Sequence, residues 1–135
     1  MKSKLVLVCI MAVIWLGLFA CSPEPVPPAS VECAYAWNQE TEVAVGGTLT
    51  VSLESNPTTG FEWALVGITD ETVLEEESHG FVAPEAGAPP GTGGEEVWTF
   101  TALKEGKSTI GMEYRRPWEQ GVEPDKVFVL TVVVK

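Results

Sequence analysis

The chain has 135 residues, 45% of them hydrophobic, and a formal net charge of -11, which is enough apolar material for one domain around one core. With 19 acidic against 8 basic residues it gains nothing from counterion release on a phosphate backbone, so nucleic acid is excluded as a partner, and anionic lipid headgroups would repel it. Three cysteines and one histidine leave little material for a zinc site, which usually wants four N or S ligands, so neither a metal nor a cofactor is expected.

Lys2 and Lys4 precede an unbroken apolar run from Leu5 to Ala20. The run is short for a spanning helix and has the length of a signal h-region, so residues 1–20 are expected to be an export signal; an uncleaved anchor helix is the alternative. It closes on Leu18-Phe19-Ala20-Cys21, which resembles a bacterial lipobox with Cys21 as the lipid acceptor. Phe19 departs from the smaller residue usual at its place. The expected location is therefore extracytoplasmic, with a lipid on Cys21 anchoring the chain to the cell envelope. The stretch after Cys21 holds four prolines between Pro23 and Pro28, which remove backbone donors and favour an extended spacer of about 3.1 Å per residue. Residues 21–32 are assigned to this tether and residues 33–135 to the folded domain, expected to be monomeric. Cys9 leaves with the signal and Cys21 is lipidated, so Cys33 has no disulfide partner within the chain and is expected to be a quiet thiol.

From Glu40 onward the pattern has period 2, in short segments separated by Gly, Pro and acidic turns. Val43 and Val45 lead into Gly46-Gly47, a two-residue hairpin signal. Leu49, Val51 and Leu53 then alternate with polar residues, facing one core. Phe61, Trp63 and Leu65 share a parity, as do Trp98, Phe100 and Ala102, and again Ile110, Met112 and Tyr114; each trio is expected to line one face. Lys104-Glu105-Gly106-Lys107 is a reverse-turn signal between the last two. In the final segment Phe128, Leu130, Val132 and Val134 point inward while Val127, Val129 and Val133 point outward, as suits a central strand. These segments predict an all-β, immunoglobulin-like antiparallel β-sandwich of about seven or eight strands, with a small barrel as the alternative.

Three connections are richer than a sandwich requires. Asn56-Pro57-Thr58-Thr59-Gly60 combines a fixed φ, two χ1-restricted threonines and a glycine, so it predicts either an ordinary turn or a stiff projecting tip. The stretch from Ala83 to Glu95 carries Gly91-Thr92-Gly93-Gly94. Its glycines allow close approach to a partner, but no Lys or helix follows to make a phosphate cradle, and taken alone the residues favour a flexible connection. Arg115-Arg116-Pro117-Trp118-Glu119 sets two cations and a tryptophan at a strand end, a composition favoured at binding hot spots. The alternative there is Trp118 folded back on the core with each Arg paired to a nearby Glu. Alternate connections of such a sandwich fall at the same end, so all three tips are expected to form one edge.

Catalysis finds little material. Cys33 and His79 are the one thiol and imidazole of the folded region, and a nucleophilic dyad also needs an orienting group and an oxyanion hole. Glu75-Glu76-Glu77 offers oxygen ligands for a hard cation, but consecutive acids on a strand point to opposite faces, which favours a solvated edge. No enzyme is expected.

At the three loops the sequence resembles the chagasin family of cysteine peptidase inhibitors, through NPTTGFEW at 56–63, GTGG at 91–94 followed by VWTF at 97–100, and YRRPWE at 114–119. The resemblance implies an immunoglobulin-like sandwich whose loops wedge reversibly into the cleft of a papain-like cysteine peptidase. Asn56, Pro57, Thr58, Thr59 and Gly60 would lie over the catalytic cysteine and histidine. Gly91, Thr92, Gly93 and Gly94 would follow the non-primed side, and Arg116, Pro117 and Trp118 the primed side. Phe61 stands where the family often has tyrosine, and a proline-rich insert precedes Gly91. An adhesive or ligand-binding surface lipoprotein using the same loop edge is the alternative.

Overall fold

The computed structural model describes residues 39–135 and, as backbone, 29–32; residues 1–20, expected to be an export signal, and Cys21 and Cys33 lie outside the described residues. The strands are β1 Ala29–Glu32, β2 Gln39–Val43, β3 Thr48–Ser55, β4 Glu62–Ile68, β5 Leu74–Val82, β6 Gly94–Ala102, β7 Gly106–Arg115 and β8 Lys126–Val134, with a 3-10 turn at Pro57–Thr59. They form two four-stranded sheets in the orders β1-β3-β6-β5 and β2-β8-β7-β4. This is the expected immunoglobulin-like sandwich, antiparallel except where β1 joins β3 and β2 joins β8. β1 occupies the last four residues of the stretch assigned to the tether: beyond Pro28 the backbone donors return, and Ala29–Glu32 pairs with Leu49–Ser52.

The core follows the alternation. Leu49, Val51 and Leu53 of β3, Trp98, Phe100 and Ala102 of β6, Ile110, Met112 and Tyr114 of β7, and Phe128, Leu130, Val132 and Val134 of β8 are all buried. Each fully buried large apolar side chain contributes about 1.5–3 kcal/mol, so Leu49, Phe100, Ile110, Met112, Phe128 and Leu130 together exceed the roughly 2–4 kcal/mol of an inter-sheet disulfide. β8 lies between β2 and β7, which explains its half-buried outer valines.

Three expectations change. Gly46-Gly47 makes no hairpin: Gly47 N–H closes a turn on Ala44 O at 2.8 Å, but β2 and β3 belong to opposite sheets. The turn chemistry is local, and sheet membership is decided by which partners the strands find. The segment at Lys104 likewise passes from one sheet to the other. Of the trio Phe61, Trp63 and Leu65, Trp63 alone is buried; β4 is an edge strand with a bulge between Leu65 and Gly67, so its neighbours are half-covered. Edge placement also suits Glu75 and Glu77, exposed on β5. His79, farther along that strand, stacks on Trp98 with ring centroids 4.2 Å apart.

β3, β5 and β7 run toward one pole of the sandwich and β4, β6 and β8 run back. Links 56–61, 83–93 and 116–125 therefore gather at one pole, and links 44–47, 69–73 and 103–105 at the other.

Candidate functional site

Asn56 organises the first loop. Its Oδ1 accepts from Thr58 N–H at 3.3 Å and Thr58 Oγ1–H at 2.6 Å, while its carbonyl accepts from Thr59 N–H at 3.0 Å and Thr59 Oγ1–H at 2.6 Å. Pro57 occupies the start of the 3-10 turn, where its missing N–H costs nothing. Gly60 ends the turn at φ 81, donating to Pro57 O at 3.0 Å, a conformation glycine adopts without a Cβ penalty. Both threonine hydroxyls are spent inside the loop, and Pro57, Thr58 and Thr59 are exposed. The tip is stiff and has little left to donate.

The other two loops lean on this one. Arg116 donates from Nε to Thr59 O at 3.1 Å, and its guanidinium lies 4.4 Å over the Phe61 ring. Trp118 covers Gly60 so closely that a Cβ there would stand 2.2 Å from Trp118 Cη2. On the opposite flank Asn56 Nδ2–H donates to Gly91 O at 3.0 Å, and Thr92 closes its own turn through two bonds to Pro89 O. A Cβ on Gly93 would meet Ser55 O at 3.0 Å, so the glycine lets the second loop lie against the first. Thr59, Gly93 and Trp118 therefore share one edge. The alternatives left open for the third loop divide: Arg115 pairs with Glu113 at 3.1 Å and Arg116 with Glu119 at 3.2 Å, but Trp118 is 65% exposed and does not return to the core. Pro117 is exposed beside it.

Beneath the edge lies an aromatic platform. Tyr114 stacks against Phe61 at 5.3 Å and packs on Trp63 at 5.2 Å, and its hydroxyl accepts from Asn56 N–H at 2.9 Å. Phe61 keeps the ring contact despite lacking a hydroxyl. Trp63 donates from Nε1 to Glu54 O at 2.9 Å. Glu96 is 7% exposed, and its Oε1 accepts from Ser55 Oγ–H at 2.6 Å and from Trp63 N–H at 3.1 Å. Glu96 and the Tyr114 hydroxyl were not singled out from sequence. The available signals were an acid on the inward parity of Trp98 and Phe100, and the need of a buried tyrosine for a polar partner. A cleft of about 570 Å³ runs along the edge between Asn56, Ala83, Thr92 and Gly93.

The arrangement suits contact rather than reaction: rigid backbone, methyl groups and an exposed indole, with the neighbouring cations already paired. The family model described as Chagasin family peptidase inhibitor I42 matches residues 42–132. The chain belongs to the chagasin family. Members of this family are inhibitors of peptidases, not enzymes. Chagasin of Trypanosoma cruzi is 37% identical over 81 residues, covering 56% of this chain and 71% of that one. Among solved structures, the cysteine protease inhibitor EhICP2 from Entamoeba histolytica shares the fold with a TM-score of 0.69 at 21% identity, over 79% of this chain and 95% of that one. PbICP-C, solved in complex with falcipain-2, has a TM-score of 0.57 at 22% identity, over 79% of this chain and 99% of that one. These relatives do not favour the adhesive alternative.

Proposed function

We propose that the chain is a reversible, non-covalent inhibitor of papain-like cysteine peptidases that fills the active-site cleft with Asn56–Gly60, flanked by Gly91–Gly94 and by Arg116, Pro117 and Trp118. The observation that carries this is the convergence of the three tips, tied through Asn56 to Gly91 and through Arg116 to Thr59. Such an enzyme attacks a carbonyl aligned beside a thiolate–imidazolium pair. A loop closed into a 3-10 turn by its own hydrogen bonds fills the cleft without offering an aligned peptide bond, so it blocks the enzyme and is not cut. Because the tip is already ordered, little conformational entropy is lost on binding. Titrating papain with the purified domain should lower its activity stoichiometrically; an unchanged rate at micromolar protein overturns the proposal.

The export signal at 1–20 and the lipid on Cys21 complete the proposal and place the inhibitor on the outer side of a membrane. The parallel pairing of β1 with β3 supports the arrangement: it sets Ala29 beside Leu49, near the pole opposite the wedge. The wedge then faces away from the membrane, toward a peptidase in solution. Labelled palmitate should enter the wild-type chain and not Cys21→Ala; label in both, or in neither, refutes the lipidation.

A further inference from the structure

We infer that Glu96 is a positioning residue for the wedge: one carboxylate oxygen clamps both stems of the first loop and so holds it in the conformation that binds. The second and third loops close hairpins, so ladder hydrogen bonds between β5 and β6, and between β7 and β8, fix the spacing of their stems. The first loop has no such ladder, because β3 and β4 lie in opposite sheets. Apart from the single bond from Trp63 Nε1–H to Glu54 O, its stems would be joined only through packing were it not for Glu96. Oε1 takes the hydroxyl of Ser55, the residue immediately before the loop, at 2.6 Å, and the N–H of Trp63, just after it in the other sheet, at 3.1 Å.

Glu96 sits on the inward row of β6 and is 7% exposed. A carboxylate at such a depth is tolerated when it is hydrogen-bonded, and bonds to a charged acceptor are the strong ones. Trp63 Nε1 to Glu54 O and Asn56 N–H to the Tyr114 hydroxyl are secondary ties to the same stems. Without the clamp the loop samples conformations that do not fit a cleft. Apparent affinity then falls in proportion to the competent fraction, and the loss appears in association rather than dissociation.

The consequence rests on the inhibitor proposal, but the clamp itself can be read in the free protein. Amide exchange at Thr59 and Gly60, whose acceptors are Asn56 O and Pro57 O, reports opening of the loop. In Glu96→Leu their exchange should rise about tenfold or more relative to amides of β7 and β8, and the association rate constant with papain should fall about tenfold with dissociation little changed. Glu96→Gln keeps a carbonyl oxygen that accepts both donors, and should restore both quantities to within about threefold of wild type. Unchanged exchange in folded Glu96→Leu overturns the clamp, as does equal impairment of the Leu and Gln variants, which would assign the effect to charge. If Glu96→Leu does not fold, Ser55→Ala retains the Trp63 bond and should raise loop exchange about threefold; no rise is equally fatal. A wild-type protein that leaves papain active refutes the inhibitor proposal while the exchange measurements still decide the clamp.

Discussion

The two poles of the sandwich solve different problems with the same strands. At the pole away from the wedge every described link crosses between sheets and spends its backbone groups on the fold: Val45 N–H reaches Lys135 O, Gly46 N–H reaches Ala102 O and Leu103 N–H reaches Val73 O. Val73 and Gly47 are buried in the process. At the wedge pole the loops satisfy themselves and one another, leaving Pro57, Thr59, Gly91, Thr92 and Trp118 at the surface. One pole closes the core and the other is available to a partner, so substitutions at the two should separate stability from inhibition.

The sharpest test compares two tryptophans of the wedge pole, one buried beneath the loops and one exposed on them. Trp63 is 7% exposed and holds the platform under the loops; Trp63→Ala should cost about 3–5 kcal/mol of stability, read by chemical denaturation, and inhibition should fall with it. Gly60→Ala comes next and acts on the wedge alone. Alanine at φ 81 is strained by about 1–2 kcal/mol, and its Cβ would displace Trp118,. Inhibition should weaken roughly 100-fold, with a melting temperature lowered by about 4–8 °C for each kcal/mol of that strain. Trp118→Ala should then weaken inhibition by about tenfold or more while leaving the denaturation midpoint near wild type. An equal loss of stability in the Trp63 and Trp118 variants would erase the distinction between the core beneath the wedge and its exposed surface.

How much of this was legible in the sequence follows from how far each signal reaches. Trp98, Phe100 and Ala102 declare their face by alternation alone, as do Ile110, Met112 and Tyr114, and the resulting strands bring the loops to one end. Gly46-Gly47 declares a turn but not the sheet in which the next strand will pair, because that is decided by contacts with β6 and β8 far along the chain. Trp118 is compatible with core and surface until its neighbours are known; what keeps it out is Arg116 held to Thr59 and Glu119, which fixes the third loop alongside the first. Glu96 is one acid among 19, distinguished only by its parity, and its partners lie 41 and 33 residues away in the sequence.

The smallest expected effect belongs to the opposite pole, at Asp70. Thr72 donates to Asp70 Oδ1 from Oγ1 at 2.6 Å and from its backbone N–H at 2.9 Å, and these bonds hold the Asp70 carboxyl below its ordinary value of 3.8, the hydroxyl contributing most,. A depressed carboxylate pKa adds stability that is present above the unfolded value and disappears as the pH falls through the folded one. Thr72→Val removes the hydroxyl and keeps the N–H, so the Asp70 pKa should move back up toward 3.8. The variant should be slightly less stable than wild type at neutral pH, and the difference should close on acidification below about pH 4. Carboxyl chemical shifts report the titration, and melting temperature against pH reports its consequence. Because Asp70 lies at the pole that closes the core, papain inhibition by Thr72→Val should match wild type at every pH where both are folded. A change in inhibition would mean that the two poles are coupled through the sandwich.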